Sequence, residues 1–158
     1  ETCQLGIQSR NMVLYIAKKD SPQPIRLMSS VGKQLPLYCT GLGRALLAYK
    51  SEEEIRNLFP EVLTAYTPHT IATINDLLKE LELTRQRGYA VEHEETNLMV
   101  NCIAVSLDYN NAPIAALSIS IPTFRISESK EKEAVQILWE AKQHIETHFK
   151  MYGVDFGN

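Results

Sequence analysis

A chain of 158 residues with 44% hydrophobic and 22% charged content is long enough to bury a real core, and one domain is the expected count. Its formal net charge of −3 argues against a surface that grips a phosphate backbone by itself, since nucleic-acid modules usually present a basic face. No apolar run approaches the roughly 20 residues of a membrane span and the N-terminus lacks a signal-peptide pattern, so a cytoplasmic protein with no membrane partner is expected.

Cys3, Leu5 and Ile7 alternate with Thr2, Gln4 and Gln8, and Met12 to Ala17 reads MVLYIA after the turn Ser9-Arg10-Asn11. This pattern predicts two paired strands. Ile25 to Ser29, bracketed by Pro22, Pro24 and Gly32, reads as a third. Next comes LPLYCTGLGRALLAY, Leu35 to Tyr49, in which a small-residue turn, Cys39-Thr40-Gly41-Leu42-Gly43, runs directly into an apolar helix pattern. The first N–H groups of a helix lack intrahelical partners and carry the positive end of the macrodipole, and glycines let a ligand approach bare backbone. The same residues also suit a plain helix start capped by Thr40, and the segment alone does not choose between that and an anion seat. Two nucleotide motifs are excluded by spacing. A dinucleotide fingerprint needs a small residue where Leu46 stands, and a P-loop needs Lys-Ser/Thr where Arg44-Ala45 stand.

Ser51 with Glu54 forms a capping box for a short helix whose apolar side is Ile55, Leu58 and Phe59. Pro60 to Thr70 has turn composition, and Thr73 to Asp76 opens a helix through Arg87 with Gly88 as its C′ residue and Leu77, Leu78 and Leu81 as its buried stripe. Tyr89 to Val91 is a short strand, followed by the acidic Glu92-His93-Glu94-Glu95 and a loop through Met99. Asn101 to Tyr109 and Ala112 to Ile121 form the clearest hairpin. A three-residue turn with Asn111 left-handed places Cys102 opposite Ser118, with Ser120 on the same face. Ser127 caps a last helix whose stripe is Ala134, Leu138, Ala141, Ile145, His148, Phe149 and Tyr152, ending at Gly153. The expected architecture is α+β, an antiparallel sheet with helices packed on it.

Ser118 and Ser120 interrupt an otherwise apolar strand, and two hydroxyls on one face must find partners or water. They point either to solvent on a half-exposed sheet or into a polar pocket with Cys102 and the glycine-turn helix. Glu92 to Glu95 reads as a solvated turn rather than paired catalytic carboxylates, and no Ser-His-Asp order or nucleophile elbow is present, so no catalytic residue is assigned. HIETH, carrying His144 and His148, has glutamate in the wrong place for a zinc-protease helix, and no metal or cofactor is expected. Cys3, Cys39 and Cys102 are odd in number and widely spaced, which suits a reducing compartment without disulfides. The opening at Glu1 without an initiator methionine suggests a fragment of something longer.

Taken in order, Thr40 to Ala48, Gly88 to Glu95, Cys102 to Ala104 and Ser118 to Ser120 resemble the effector-binding domain of IclR-type bacterial transcriptional regulators over nearly the whole chain. The family pattern is small-x-Gly-x-Gly-Lys/Arg, then Gly-Tyr-x-x-acid-x-Glu-Glu, then Cys-x-Ala, then Ser-x-Ser. The resemblance implies a curved antiparallel sheet similar to GAF and profilin-like folds, with a pocket for a small metabolite. It implies that a ligand carboxylate meets the backbone at Gly41 and Leu42, and that Glu92, Cys102, Ser118 and Ser120 line the pocket. It further implies a homodimer or homotetramer, with operator DNA bound only through an N-terminal winged helix-turn-helix domain absent from residues 1–158. Glu92 stands where aspartate is usual, Met99 and Ile121 where glycines are usual, and Asn101 where arginine is frequent. SISIPTFR and VGKQLPLY look closest to the KdgR-like branch, which senses 2-keto-3-deoxygluconate and related sugar acids.

The reading that follows is an effector-binding and oligomerisation domain sensing a 2-keto acid or sugar acid, without covalent chemistry. Two alternatives stand beside it: an enzyme acting on a small carboxylate with Cys102 as nucleophile, and a structural dimerisation module.

Overall fold

The computed structural model describes residues 1–154 apart from Arg26 and Met28. Strands β1 (Thr2–Ser9), β2 (Met12–Lys19), β3 (Gln34–Pro36), β4 (Ala90–His93), β5 (Val100–Tyr109) and β6 (Ala112–Pro122) make one sheet in the order β3-β2-β1-β6-β5-β4. Each neighbouring pair is antiparallel. The third strand lies later than the composition suggests. Ile25, Leu27 and Ser29 join no ladder, and the rest of that expected strand, Arg26 and Met28, is outside the described residues. The carbonyls of Leu27 and Ser29 instead accept from Lys18 Nζ, so a side chain takes the place of a strand partner.

Helices cover both faces of the sheet. On one face α1 (Gly41–Leu47) lies across β1, β4, β5 and β6, backed by α2 (Glu52–Leu58) and α3 (Ile74–Arg87). On the other face α4 (Glu128–Tyr152) packs Ala134, Val135 and Leu138 onto Ile103, Val105, Ile119 and Ile121. Two covered faces explain why neither strand phase of β5 and β6 meets water freely; α4 sits over β5 and β6 rather than β1, so Thr2 and Gln4 on the α1 face are buried while Cys3, Leu5 and Ile7 are only half-buried. The α4 stripe is shorter than its periodicity implies. Phe149 meets Tyr109, the last residue of β5, edge to face, but His148 is exposed and Tyr152 is 80% exposed.

The local helix signals are realised. Thr40 Oγ1 accepts from Gly43 N, Ser51 and Glu54 form the reciprocal box, Thr73 and Ser127 accept from Asp76 N and Lys130 N, and Gly88 adopts φ 79° past α3. The β5–β6 turn differs from expectation. Asn110 and Asn111 both have positive φ, 52° and 62°, which makes a two-residue type I′ connection. Ile114 is then an extra residue on β6, beside Pro113, where the register shifts. The two effects together move the pairing by two positions, so Cys102 faces Ser120 and Ala104 faces Ser118. A shift of two preserves the face, and Cys102, Ser118 and Ser120 still share it. No helix among the described residues is long and apolar enough to cross a membrane.

Candidate functional site

The N-terminus of α1 meets the sheet at β5. Thr40 takes the Gly43 N–H with its side chain and the Arg44 N–H with its carbonyl, which leaves the N–H groups of Gly41 and Leu42 as the donors the helix itself does not use. The two glycines have different causes. A Cβ on Gly41 would come 3.2 Å from Cys102 Cβ, so Gly41 lets the helix start seat against β5. A Cβ on Gly43 would stand 2.1 Å from the Leu37 carbonyl oxygen, so Gly43 permits a backbone crossing and opens no space for a ligand.

Below this helix start, Gly41, Leu42, Glu92, Cys102, Ser118 and Ser120 line one tight cleft with about 30 Å³ of open space. All six residues singled out from the sequence are therefore brought together. Ser118 and Ser120 are each 1% exposed, which overturns the alternative that they face water. Their partner is Gln4, whose Oε1 accepts from Ser120 Oγ at 2.8 Å and from Ser118 Oγ at 3.3 Å. Cys102 Sγ lies 3.1 Å from Ser120 Oγ.

Glu92 closes the side of the cleft. Its Oε1 accepts the N–H groups of Glu95 and Thr96 at 2.5 and 3.3 Å, yet burial outweighs these bonds and pushes its carboxyl up to about 7. Burial and then the neighbouring Glu92 charge hold the Cys102 thiol well above its ordinary range. A thiol so placed is a poor nucleophile, because the reactive form is the thiolate.

The cleft's frame depends on Arg44, buried although charged. Its guanidinium donates to the carbonyls of Tyr38 and Val91 and to Glu95 Oε2, and Glu95 Oε2 also accepts from Ile71 N. This ties α1, β4 and the two loops beside the site into one unit. Thr96 and Asn97 reach the cleft from a loop flanked by Glu94 and Met99, both with positive φ, where Met99 N donates to Glu94 Oε1 at 2.6 Å. Ser29 and Lys33 border it from the β2–β3 connection.

Sequence reasoning missed Gln4, Tyr15 and Lys33. Gln4 had a usable signal, being a polar residue in the Thr2-Gln4-Gly6 phase of a strand whose other phase is apolar. No histidine lines this cleft: His93 Nδ1 is 2.9 Å from Asn101 Oδ1, and His144 and His148 lie exposed on α4. Among the described residues no three His, Cys, Asp or Glu side chains come together as metal ligands. A roomier cleft of about 330 Å³ opens at the far end of α1 between Ala48, Arg85, Tyr89 and Ser106, and none of the six residues reaches it.

Residues 1–147 match the family model described as the bacterial transcriptional regulator IclR C-terminal region. The chain is 39% identical over 147 residues to the HTH-type transcriptional regulator KdgR of Dickeya chrysanthemi, covering 92% of this chain and 48% of that one. It therefore spans about half the length of that curated relative. Among solved structures it is similar to the C-terminal domain of the E. coli transcriptional regulator KdgR, with 34% identity and a TM-score of 0.85 over 98% of this chain and 88% of that one. It is also similar to an IclR homolog from Microbacterium hydrocarbonoxydans complexed with 4-hydroxybenzoate, with 26% identity and a TM-score of 0.84 over 96% of this chain and 61% of that one.

Proposed function

Because the chain belongs to the IclR family of bacterial transcriptional regulators and matches their C-terminal region, we propose that it is a single effector-binding domain sensing a small carboxylate, a 2-keto acid or a sugar acid. The observation that carries the proposal is that Gly41, Leu42, Glu92, Cys102, Ser118 and Ser120 all line one cleft. The carboxylate sits on the N–H groups of Gly41 and Leu42, and the remainder of the ligand lies against Cys102, Ser118 and Ser120. A carboxylate at a helix N-terminus gains about 0.3–2 kcal/mol, so selectivity comes from the polar lining. The aromatic acid named with the Microbacterium structure supports a carboxylate guest.

In this reading the cytoplasmic regulator is a homodimer or homotetramer whose N-terminal winged helix-turn-helix domains bind operator DNA. The effector acts by binding one arrangement of the oligomer more tightly than another, since a ligand shifts an equilibrium only through differential affinity. No covalent step is needed, and the high-lying Cys102 thiol weighs against the enzyme reading.

Calorimetry against keto acids, sugar acids and acyl compounds tests the proposal. Saturable binding of at least one carboxylate, weakened by about 1.5–3 kcal/mol for each ligand hydrogen bond lost in Ser118→Ala or Ser120→Ala, is the expected result. No binding across the panel would leave the structural dimerisation module as the better reading.

A further inference from the structure

Gln4 stands directly across from Ser118 in the β1–β6 ladder and is 3% exposed at the floor of the cleft. Its amide is used at both ends: Oε1 accepts from Ser118 and Ser120, while Nε2 donates to Ser29 Oγ at 2.7 Å. Ser29 is itself held, its carbonyl accepting from Lys18 Nζ at 2.7 Å.

A hydroxyl has one proton and two acceptor lone pairs. With the Gln4 amide in this orientation both serine hydroxyls donate to Oε1, and Ser120 Oγ also has Cys102 Sγ at 3.1 Å, so what each serine retains for a ligand is lone pairs. With the amide turned over, Nε2 would donate to the serines and their protons would be free for the ligand. The direction of one buried amide therefore sets whether this wall gives or takes hydrogen bonds.

Resting on the reading of the cleft as a carboxylate site, we infer that Gln4 is a specificity-determining residue that makes the Ser118–Ser120 wall an acceptor surface, selecting ligands whose chain beyond the carboxylate carries hydroxyl donors over those with a second carboxylate. A hydroxyl can donate to this wall. A carboxylate or carbonyl oxygen cannot, and it would meet lone pairs with lone pairs, leaving buried polar groups unpaired on both sides.

Calorimetry with three four-carbon probes, threonate, succinate and butyrate, tests this. Threonate should bind the wild-type chain at least about tenfold more tightly than succinate. Gln4→Met keeps the length of the side chain and releases the serine protons, so the threonate-to-succinate ratio should collapse towards one while butyrate affinity stays within about threefold. Ser29→Ala, which frees the donor end of the Gln4 amide, should lower the same ratio and serves if Gln4→Met does not fold. Succinate binding as tightly as threonate, or a ratio unchanged in the variants, overturns the role of Gln4 while butyrate binding keeps the carboxylate anchor. Binding of none of the three removes the anchor and this inference with it.

Discussion

Arg44 and Glu95 form an ion pair with both side chains buried, Nη2 to Oε2 at 2.5 Å, and so fasten α1, the helix at the cleft, to the loop after β4. Removing one partner leaves a buried charge alone. Arg44→Met should therefore lower unfolding stability by about 3–5 kcal/mol, and the double variant with Glu95→Met should lose less than the sum of the single changes. Urea denaturation of the four proteins measures the cycle. Additive losses would mean the pair contributes only through separate contacts.

Gly41 and Gly43 should separate stability from binding. Gly43→Ala drives a Cβ into the Leu37 backbone, where nothing flexible can yield, and should cost about 3 kcal/mol or more or prevent folding. Gly41→Ala presses on Cys102 Cβ at 3.2 Å, which a small shift relieves, so it should fold with a loss of about 1 kcal/mol. It stands at the cleft, however, and should weaken carboxylate binding. Thermal melts together with calorimetry on both variants check the contrast.

These glycines also show what the sequence could and could not reveal. Helix ends were legible because capping is local: Thr40, the Ser51–Glu54 box, Thr73, Ser127 and Gly88 act within four residues of themselves. The cleft residues were legible as a set because the family motifs carry them. The hairpin register was not, since a type I′ turn at Asn110-Asn111 and an extra residue at Ile114 each shift the pairing by one and leave the alternation intact. Gln4 was missed because its partners lie 25 to 116 residues away, and strand alternation names a face without naming what lies opposite. Residues 25–29 have strand composition, but β2 pairs instead with β3 at Gln34–Pro36 through Met12–Leu14, and the carbonyls of Leu27 and Ser29 take the Lys18 side chain as donor.

Glu92 should make stability depend on pH with a definite sign. Its carboxyl rises from an ordinary value near 4.5 to about 7, so between those values the folded chain binds more protons than the unfolded one. This group's contribution to stability is greatest below pH 4.5, falls as pH rises through that window and is fully lost above about 7. Glu92→Gln should be more stable than wild type at pH 8, by about 1–3 kcal/mol, and similar at pH 4. Denaturation at the two pH values tests it, and a variant less stable at pH 8 would show the carboxylate to be favourable in place.

The same group should act on the ligand. A carboxylate on Gly41 and Leu42 shares the cleft with Glu92, and two negative charges there disfavour one another. Affinity should fall as pH rises through about 7, with proton uptake on binding, and both effects should vanish in Glu92→Gln. Calorimetry in buffers of different ionisation enthalpy reads the proton count, and uptake persisting in the variant would assign it to another group.

A carboxylate seated at the start of α1 is tested most directly by a titration of the isotopically labelled chain with a binding carboxylate, followed by backbone amide resonances. The Gly41 and Leu42 amides should shift furthest and saturate together with those of Ser118 and Ser120. A saturating ligand that leaves Gly41 and Leu42 unmoved, or that moves only residues around Ala48 and Arg85 at the far end of the helix, would contradict it.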